Sequence, residues 1–285
     1  RHSFPTRRSS DLGPARGRAR RSSSAGRGVT TWRRVLVLHA GALGDSVLVW
    51  PLLRSLVRAG ATVAFGARPS HARVAARFID AANILPVDVD GPEFTRLWSG
   101  GDGAAANEAF DAVLTFLADG TTPAGRQWLS AAGRRWSGAE IVAVGPPGSA
   151  SWRALWRRAR VDEFGVVTRR RRPEGPIVLH VGAGGEAKRW PLERFVLLSA
   201  ALAQQTGAPA HLIAGEAEID RFRPGERERF AAAGGQFLFD LDGLANELSC
   251  ARLLVGNDSG PTHLAAQLGV PTVAIFGPTD PGIWA

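Results

Sequence analysis

The feature that most constrains this chain is an alternation of short β-branched or Leu-rich runs with longer stretches of helical composition, which begins at Trp32. Such alternation is typical of βαβ units around a parallel sheet. The apolar runs fall into two series and predict eight strands, at 35–39, 62–65, 112–116 and 141–144, and then at 177–181, 210–214, 253–255 and 272–276. The pattern therefore predicts an α/β protein with two doubly wound, Rossmann-like parallel-sheet domains.

A break separates the two series of strands. Four consecutive arginines at 169–172 are followed by Pro173 and Pro176. Because like charges repel and proline interrupts regular structure, we expect an interdomain linker at 168–176. The domains would then be residues 32–167 and 177–285. Open parallel sheets bind ligands beyond the carboxyl ends of their strands, so the loops of both domains should face a shared cleft.

The net charge of +9 is carried by the first 34 residues, which contain ten arginines and one acid, Asp11. The remaining residues are electrically balanced, so the folded part predicts no specific nucleic-acid partner. Residues 1–31 are rich in Arg, Ser and Gly, and we expect them to be a disordered basic tail. The chain contains no methionine, so this tail need not be native. A nucleic-acid binder led by the tail is an alternative, and removal of residues 1–31 would abolish its affinity.

No apolar run in the sequence approaches the roughly 20 residues that span a bilayer. No charged and then apolar secretory segment precedes the first predicted strand either. We therefore expect a cytoplasmic protein whose contact with a membrane is at most peripheral.

The first candidate site follows the first predicted strand and reads His39-Ala-Gly-Ala-Leu-Gly-Asp45. Its two glycines allow a tight turn from strand to helix, and Asp45 falls at or beside the N-cap of a helix starting near Ser46. Asp45 could simply cap that helix. At the mouth of a cleft, the same carboxylate could be a general base.

The second candidate site follows the strand predicted at 177–181 and contains Gly184, Gly185 and Lys188, shortly before Pro191. Glycines let backbone N–H groups approach a ligand, Lys188 adds a positive charge, and Pro191 suits the start of a helix. Together they predict a diphosphate site, with an ordinary glycine-rich surface turn as the alternative. The segment matches neither a Walker loop nor a dinucleotide-binding fingerprint.

The third candidate site follows the strand predicted at 253–255 and opens a helix predicted at 263–268. Small polar residues at a helix N-terminus present donors to an anion. The residues concerned are Asp258, Ser259, Gly260, Thr262 and His263. Taken singly, they could be helix caps and a core histidine. A neighbouring strand also ends in a Gly-Pro turn, and two such turns side by side favour a binding site.

The segments Asn-Asp-Ser-Gly-Pro-Thr-His-Leu-Ala-Ala at 257–266 and Pro-Thr-Val-Ala-Ile-Phe-Gly-Pro-Thr-Asp-Pro at 271–281 closely resemble the C-terminal signature of glycosyltransferase family 9. Leu-Gly-Asp-Ser at 43–46 and Lys-Arg-Trp-Pro at 188–191 resemble the other two landmarks of that family, in the same order. The resemblance implies a GT-B-like architecture with an acceptor domain and then a donor domain. It also implies an inverting, heptosyltransferase-like enzyme that needs neither a metal nor a cofactor.

By the same resemblance, Asp45 deprotonates the acceptor hydroxyl and Lys188 neutralises the donor diphosphate. The remaining donor-binding residues are Gly184, Gly185, Asp258, Ser259, Gly260, Thr262 and His263. Glu218 fits the family's ribose-binding glutamate best, with Glu216 as its rival. The implied donor is a nucleotide-diphosphate sugar, with ADP-heptose the family's best-known example. The implied acceptor is a lipid-linked glycan of lipopolysaccharide type, which allows peripheral contact with the inner membrane.

The sequence also departs from the family pattern. His39 stands where many relatives have Lys or Arg, and we name His39, Arg68 and His71 as acceptor-side residues. Relatives continue beyond the Gly-Pro-Thr-Asp segment, whereas this chain ends at Ala285, so the second domain is expected to be incomplete.

Two other functions stay open at this stage. One is a metal-dependent GT-A enzyme, which would use Asp88-Val-Asp90 or Asp240-Leu-Asp242 to bind the metal. The other is a nucleotide-sugar-binding protein of the same fold that has lost turnover.

Overall fold

The structure, a computed structural model, describes residues 32–99, 109–169 and 172–284. The expected basic tail at 1–31 lies outside the described residues. So do two of the four arginines of the expected linker, at positions 170 and 171.

Within the described part, the first domain contains a parallel sheet of five strands in the order β3-β2-β1-β4-β5. The strands are β1 (Arg34–Leu38), β2 (Thr62–Ala67), β3 (Ile84–Asp88), β4 (Ala112–Thr115) and β5 (Glu140–Ala143). The helices are α1 (Leu43–Leu48), α2 (Trp50–Arg58), α3 (Pro69–Ile79), α4 (Pro92–Trp98), α5 (Pro123–Arg135), α6 (Ala150–Arg158) and α7 (Val161–Phe164).

The second domain repeats this arrangement, with the described strands in the order β10-β9-β6-β7-β8. Its strands are β6 (Ile177–His180), β7 (His211–Gly215), β8 (Gln236–Leu238), β9 (Leu253–Asn257) and β10 (Thr272–Ile275). Its helices are α8 (Leu192–Thr206), α9 (Glu216–Ile219), α10 (Glu226–Ala232), α11 (Leu241–Cys250), α12 (Gly260–Gln267) and α13 (Pro281–Trp284), with a 3₁₀ turn at Glu186–Lys188.

Each sheet has its first strand paired with its second on one side and its fourth on the other. The fold class predicted from the alternating pattern, two doubly wound parallel-sheet domains, is therefore confirmed. In both sheets the strand order reverses between the first and fourth strands, at β1/β4 and at β6/β9. Ligands of open α/β sheets bind in the crevice outside the carboxyl ends of the strands at such a point.

The eight predicted strands are present with bounds within two residues of those expected. The sequence missed β3 and β8, each of which lies at one edge of its sheet. β3 contains Pro86, a residue that edge strands tolerate because they need not donate every backbone hydrogen bond. β8 is three residues long and half-exposed, so neither strand has the continuous apolar pattern of a central one.

An apolar cluster joins the domains as well as filling them. Val47, Leu52 and Leu53 of the first domain belong to the same buried cluster as Leu264 and Leu268 of the second. Helix α1 packs on α12, and α3 packs on α11. Because this contact holds α1 against α12, the loops that begin these two helices lie side by side.

Arg54 strengthens the contact from the other end of α12. Its guanidinium donates to the side-chain oxygen of Gln267 and, at 2.5 Å, to the Gln267 carbonyl. A cation at the C-terminus of a helix is favoured by the helix dipole. Among the described residues, none of the helices has both the length and the apolar composition that crossing a bilayer requires.

Candidate functional site

The three candidate segments meet where the two domains touch. A methyl group added at Gly260 would lie 3.0 Å from the Cβ of Leu43 and 3.1 Å from the backbone nitrogen of Gly44. Such contacts are tighter than ordinary side-chain packing. The first turns of α1 and α12 therefore approach each other closely only because residue 260 is a glycine. This contact brings the Asp45 turn next to the loop predicted to bind the donor.

Helix α1 begins earlier than the sequence suggested. It starts at Leu43 with Ala42 as its N-cap residue, so the expected start near Ser46 was wrong. Asp45 is the third residue of the helix, and the structure records no side-chain capping hydrogen bond there. The two small residues Ala42 and Gly44 allow the chain to turn straight from β1 into the helix. The Asp45 carboxylate consequently does not act as the N-cap.

Gly41 holds His39 and Asp45 close to each other. A methyl group at Gly41 would lie 2.5 Å from Cε1 of His39 and 3.0 Å from the Cβ of Asp45. The backbone N–H of Gly41 donates to Nδ1 of His39 at 3.1 Å. Burial lowers the pKa of His39, although the nearby charge of Asp45 raises it in part. His39 is therefore neutral at pH 7, with its proton on Nε2.

A cavity of about 540 Å³ opens beside this turn, at the carboxyl ends of β1, β4 and β5. His39, Gly41 and Asp45 line it on one side. The other lining residues come from the loops after β4 and β5 and from α4, α5 and α6: Trp98, Phe116, Leu117, Ala118, Asp119, Thr121, Thr122, Gly125, Val144, Gly145, Pro146, Pro147 and Trp152. The cavity has the volume and the largely apolar lining of a small-molecule site.

The other two residues named on the acceptor side, Arg68 and His71, stand at the start of α3 and do not line this cavity. His71 is buried, and its Nδ1 has no hydrogen-bond partner among the described residues. Burial lowers the pKa of His71 to about 4, and the positive charge of Arg68 acts in the same direction.

In the second domain, the carboxylate of Asp258 connects three segments. Lys188 Nζ donates to its Oδ2 at 2.7 Å, and Thr279 donates to the same oxygen at 2.6 Å. His263 Nε2 lies 3.0 Å from its Oδ1. Burial alone would raise the pKa of Asp258, but the hydrogen bonds from Lys188, Thr279 and His263 hold it below its usual value.

Asp258 is 4% exposed, so it presents almost no surface to a ligand. Lys188 keeps a 32% exposed side chain even while it is paired. Gly277 fixes the position of Lys188, because a methyl group there would lie 2.9 Å from the Ala187 carbonyl. The candidate residues Lys188 and His263 are thus brought together, with Asp258 as the residue that positions them.

Asn257 is a positioning residue that the sequence analysis quoted but did not select. It is fully buried. Its amide group donates to the carbonyls of Val181 and Gly182 at 3.0 and 3.1 Å, and its Oδ1 accepts from the backbone N–H of Trp190 at 2.9 Å. Asn257 therefore ties both ends of the Gly184–Lys188 turn to β9. The sequence could have indicated this role, because Asn257 is a polar residue at the end of a buried strand.

The hydroxyl groups of Ser259 and Thr262 form hydrogen bonds with other groups of the protein. The Thr262 hydroxyl donates to the Asn257 carbonyl at 2.6 Å, and the Ser259 hydroxyl lies 3.2 Å from that of Thr262. Ser259 also lies 3.3 Å from Nδ1 of His180. Burial lowers the pKa of His180 to about 4, so its ring is neutral. Ser259 is the N-cap residue of α12, but its side chain makes no capping hydrogen bond.

Gly184 and Gly185 differ from the other glycines of the site. A methyl group at either position would meet no atom within 4 Å, and neither residue has a positive φ. Nothing in the protein itself requires glycine there. By contrast, a methyl group at Gly182 would overlap the carboxyl group of Glu218.

Glu218 lies beneath the β6 loop. Its Oε2 accepts from the backbone N–H of Gly215 at 2.8 Å, and burial raises its pKa. Glu218 thus joins the loop after β7 to the loop after β6. The side chain of its rival, Glu216, lies outside what the structure describes.

The aspartates of the two Asp-x-Asp pairs contact groups of the protein. Asp88 accepts from the backbone N–H of Asp90 at 3.0 Å, and Asp240 is the N-cap of α11. Asp242 lies 3.7 Å from the guanidinium of Arg77. In the described part of the chain, no cluster of three or more His, Cys, Asp or Glu side chains could hold a metal ion. That the reaction needs no metal stays a prediction.

The sequence profile of Glycosyltransferase family 9 (heptosyltransferase) matches residues 154–285, which include the loops around Asp258 just described. This part of the chain is thus similar to a glycosyltransferase family 9 domain. The predicted resemblance to this family is therefore confirmed.

Curated relatives align with this chain over shorter segments. Lipopolysaccharide heptosyltransferase 1 of Pseudomonas aeruginosa is 55% identical over 42 residues, which are 15% of this chain and 12% of that protein. The enzyme of the same name from Escherichia coli K12 is 33% identical over 96 residues, which are 34% of this chain and 30% of that protein. The aligned segments thus span less than a third of each relative.

Solved structures resemble this chain over most of its length. E. coli heptosyltransferase WaaC with ADP superposes with a TM-score of 0.59 at 19% identity, covering 88% of this chain and 89% of that one. A family 9 glycosyltransferase from Veillonella parvula gives 0.60 at 16% identity, covering 89% and 83%. At these identities the likeness establishes the fold, and the GT-B-like architecture is confirmed.

Proposed function

We propose that this chain is an inverting glycosyltransferase that moves a sugar from a nucleotide-diphosphate donor onto a glycan acceptor of lipopolysaccharide type. The donor would be held by the second domain and the acceptor by the cavity beside Asp45. ADP-heptose is the donor that we propose, because the aligned relatives are lipopolysaccharide heptosyltransferases. The structure of E. coli WaaC also contains ADP.

The close approach of Gly44 and Gly260 is the observation that carries the proposal. It places a carboxylate that caps no helix, on the wall of a 540 Å³ cavity, next to the N-terminus of α12. A helix N-terminus attracts anions such as phosphate through its free N–H groups and its dipole. Transfer needs this juxtaposition, because donor and acceptor must meet within bonding distance.

The residues around Asp258 support the donor half of the proposal. Lys188 would balance the charge of the diphosphate, and the open space above Gly184 and Gly185 would let the donor approach the backbone closely. Glu218, whose carboxyl group lies directly against Gly182, is our candidate for a contact with the nucleotide ribose. Asp258, Ser259, Thr262 and Asn257 would act by holding these loops, since their polar atoms bond to the protein.

Asp45 is our candidate for the general base. In the proposed reaction, the acceptor oxygen attacks the anomeric carbon of the donor and its proton passes to the Asp45 carboxylate. The bond between the anomeric carbon and the diphosphate oxygen breaks, and the nucleoside diphosphate leaves with the electron pair. Attack from the face opposite the leaving group inverts the configuration.

The reaction is proposed to take place in the cytoplasm, with peripheral contact at the inner membrane where the acceptor is lipid-linked. It is also proposed to need no metal or cofactor.

Nucleotide binding is the first test of this function. The chain would be titrated with ADP, UDP, GDP and ADP-heptose while its melting temperature is followed. A ligand at 100 times its dissociation constant stabilises a protein by about 2.7 kcal/mol. We expect ADP and ADP-heptose to raise the melting temperature, and Lys188→Ala to abolish most of that rise. The absence of stabilisation by every nucleotide would contradict the proposal.

A further inference from the structure

Arg189 directly follows Lys188, but the two side chains contact different neighbours of the loop after β6. Lys188 donates to Asp258 in the loop after β9. The Arg189 guanidinium bonds to the segment after β7, where it donates to Oε2 of Glu226 and to the carbonyl of Arg221, each at 2.8 Å. Because β6 lies between β9 and β7 in the sheet, these two adjacent residues hold the loop from both sides.

The contact between Arg189 and Glu226 is a buried ion pair. The two side chains are only 8% and 7% exposed. Glu226 also accepts from the backbone N–H of Arg223 at 2.9 Å. Burial alone would raise the pKa of Glu226, but the hydrogen bonds from Arg189 and from this N–H hold it below its usual value. Glu226 is therefore charged at neutral pH, and a charge-assisted hydrogen bond fixes the guanidinium in direction as well as in distance.

Glu226 stands on a firmly packed helix. It is the first residue of α10, and Phe230, one turn further along, is fully buried in the core of the second domain. The ring of Phe222 lies 5.4 Å from that of Phe230 and 5.6 Å from the Arg189 guanidinium. A binding group is held precisely when the residues that support it are themselves locked by packing. The ion pair thus ties the loop after β6 to a rigid element.

The middle of this loop is not fixed by side-chain packing. A methyl group added at Gly184 or Gly185 would meet no atom within 4 Å. The ends, by contrast, are bonded to one residue, Arg221. Its guanidinium donates to the carbonyl of Ala183 at 2.9 Å, and its own carbonyl accepts from Arg189. The position of the Gly184–Lys188 turn therefore depends on the bonds at its two ends.

The ion pair provides direction more than it provides stability. The Nε of Arg189 is buried and has no hydrogen-bond partner within the described part of the chain. A buried donor without a partner costs free energy. The attraction within a buried ion pair, in turn, does little more than offset the desolvation of its two charges. What the pair does supply is a fixed position for the backbone next to Lys188.

We propose that Glu226 is a positioning residue for the donor: through its ion pair with Arg189 it sets the position of Lys188, and thereby the affinity for the donor diphosphate. The inference rests on the proposed function, in which Lys188 balances the diphosphate charge. Glu226 itself touches no donor atom in this proposal. Its effect on binding should therefore pass through Lys188 and disappear when Lys188 is absent.

The first test removes the ion pair without leaving a buried charge. In the double variant Arg189→Met with Glu226→Leu, apolar side chains of similar volume take the place of the pair, a replacement that is often neutral for stability. We expect Tm to stay close to that of the unaltered chain. The dissociation constant for ADP, measured by calorimetry on the full chain, should rise about tenfold. A displaced Lys188 loses part of a charged hydrogen bond that is worth roughly ten- to hundredfold in affinity.

The second test asks whether Glu226 acts through Lys188. Glu226→Gln keeps the length of the side chain and an oxygen for Arg189 but removes the charge. On its own it should weaken ADP binding about three- to tenfold, and in a chain that already carries Lys188→Ala it should change ADP affinity no further. Residues that act through one another give such non-additive effects, whereas a general loss of stability would add in both backgrounds.

Glu193→Gln is a matched control. Glu193 pairs with Arg229 and so joins α8 to the same helix α10, but both side chains are more than half exposed. An exposed ion pair contributes little. We expect ADP affinity to stay within about twofold of that of the unaltered chain.

The inference is overturned if the folded double variant binds ADP as tightly as the unaltered chain does. It is also overturned if Glu226→Gln weakens ADP binding equally with and without Lys188, a result that decides the question even where the double variant does not fold. The unaltered chain keeps these outcomes apart from the proposed function. If it binds ADP while the variants bind normally, the proposed function stands and Glu226 loses its role; if it binds no ADP, both are contradicted.

Discussion

Replacing Asp45 by Asn separates a catalytic carboxylate from a structural one. The substitution keeps the shape of the side chain and one oxygen but removes the charge and the proton acceptor. Because α1 begins at Leu43 and Ala42 is its N-cap, Asp45 makes no capping hydrogen bond that the change could break. What the helix loses is the favourable contact between a first-turn carboxylate and the helix dipole, worth about 0.3–1 kcal/mol.

The structural and catalytic effects therefore differ widely in size. For a chain of this length, 1 kcal/mol corresponds to roughly 2–4 °C in melting temperature, so Tm should fall by a few degrees at most. If Asp45 is the general base, turnover should fall about 10²–10⁴-fold. That loss corresponds to roughly 2.7–5.4 kcal/mol of transition-state stabilisation. Donor affinity should hardly change, because the donor is held by the second domain.

The assay would follow ADP release and sugar transfer from ADP-heptose, with Tm measured on the same preparations. Asp242→Asn is a matched control, because Asp242 is also an aspartate in the first turn of a helix and does not line the cavity. We expect both variants to lose a small amount of stability, to which the exposed ion pair of Asp242 with Arg77 adds in the control. Only Asp45→Asn should lose turnover.

Transfer at a near-wild-type rate by a folded Asp45→Asn protein would refute the assignment of the base. Equal losses of turnover in both variants would also refute it, since a remote first-turn charge would then matter as much. A folded, ADP-binding variant that transfers no sugar is the result that the geometry predicts.

Three further predictions follow from the donor side and from the buried histidines. Lys188→Ala should weaken ADP binding by roughly 1.5–3 kcal/mol, the range for hydrogen bonds to charged groups. It should also lower Tm, because the buried carboxylate of Asp258 loses one of its three partners. Unchanged calorimetric affinity would remove Lys188 from the site. Gly260→Ala should lower both Tm and the transfer rate, because the added methyl group pushes α1 away from α12. Gly184→Ala should leave Tm unchanged and weaken only ADP binding. The same changes in Tm and ADP affinity in both variants would contradict this account. Burial lowers the pKa of His180 to about 4. As the pH falls, this residue therefore takes up a proton in the unfolded chain before it does so in the folded one. The free energy of unfolding should decrease between about pH 6.5 and pH 4, by about 3 kcal/mol for His180. In denaturant titrations, His180→Asn should reduce that dependence. His71, whose pKa is also lowered to about 4 by burial, should account for part of what remains.

Local sequence determined the architecture and the family resemblance. The central strands of a doubly wound sheet are covered on both faces, so they appear as continuous apolar runs, and eight strands could be predicted from such runs. Leu-Gly-Asp-Ser forms the first turn of α1, and Lys-Arg-Trp-Pro lies between β6 and α8. Each landmark thus closely follows a strand, so its position in the chain already places it near the carboxyl end of that strand. The edge strands β3 and β8 were missed because β3 is interrupted by Pro86, which an edge strand tolerates, and β8 has only three residues.

The tertiary structure decided what each polar residue contacts. Asp258, Lys188 and Thr279 are far apart in sequence. The Asp258 carboxylate binds both of the other side chains only because the loops after β6, β9 and β10 lie at the same edge of the sheet. The same applies to Asp45, whose position against the second domain depends on the contact of Gly44 with Gly260 across some two hundred residues of chain. A sequence pattern reports what lies within a few residues of a position. Which groups meet across a cleft is fixed by the packing of whole helices and sheets.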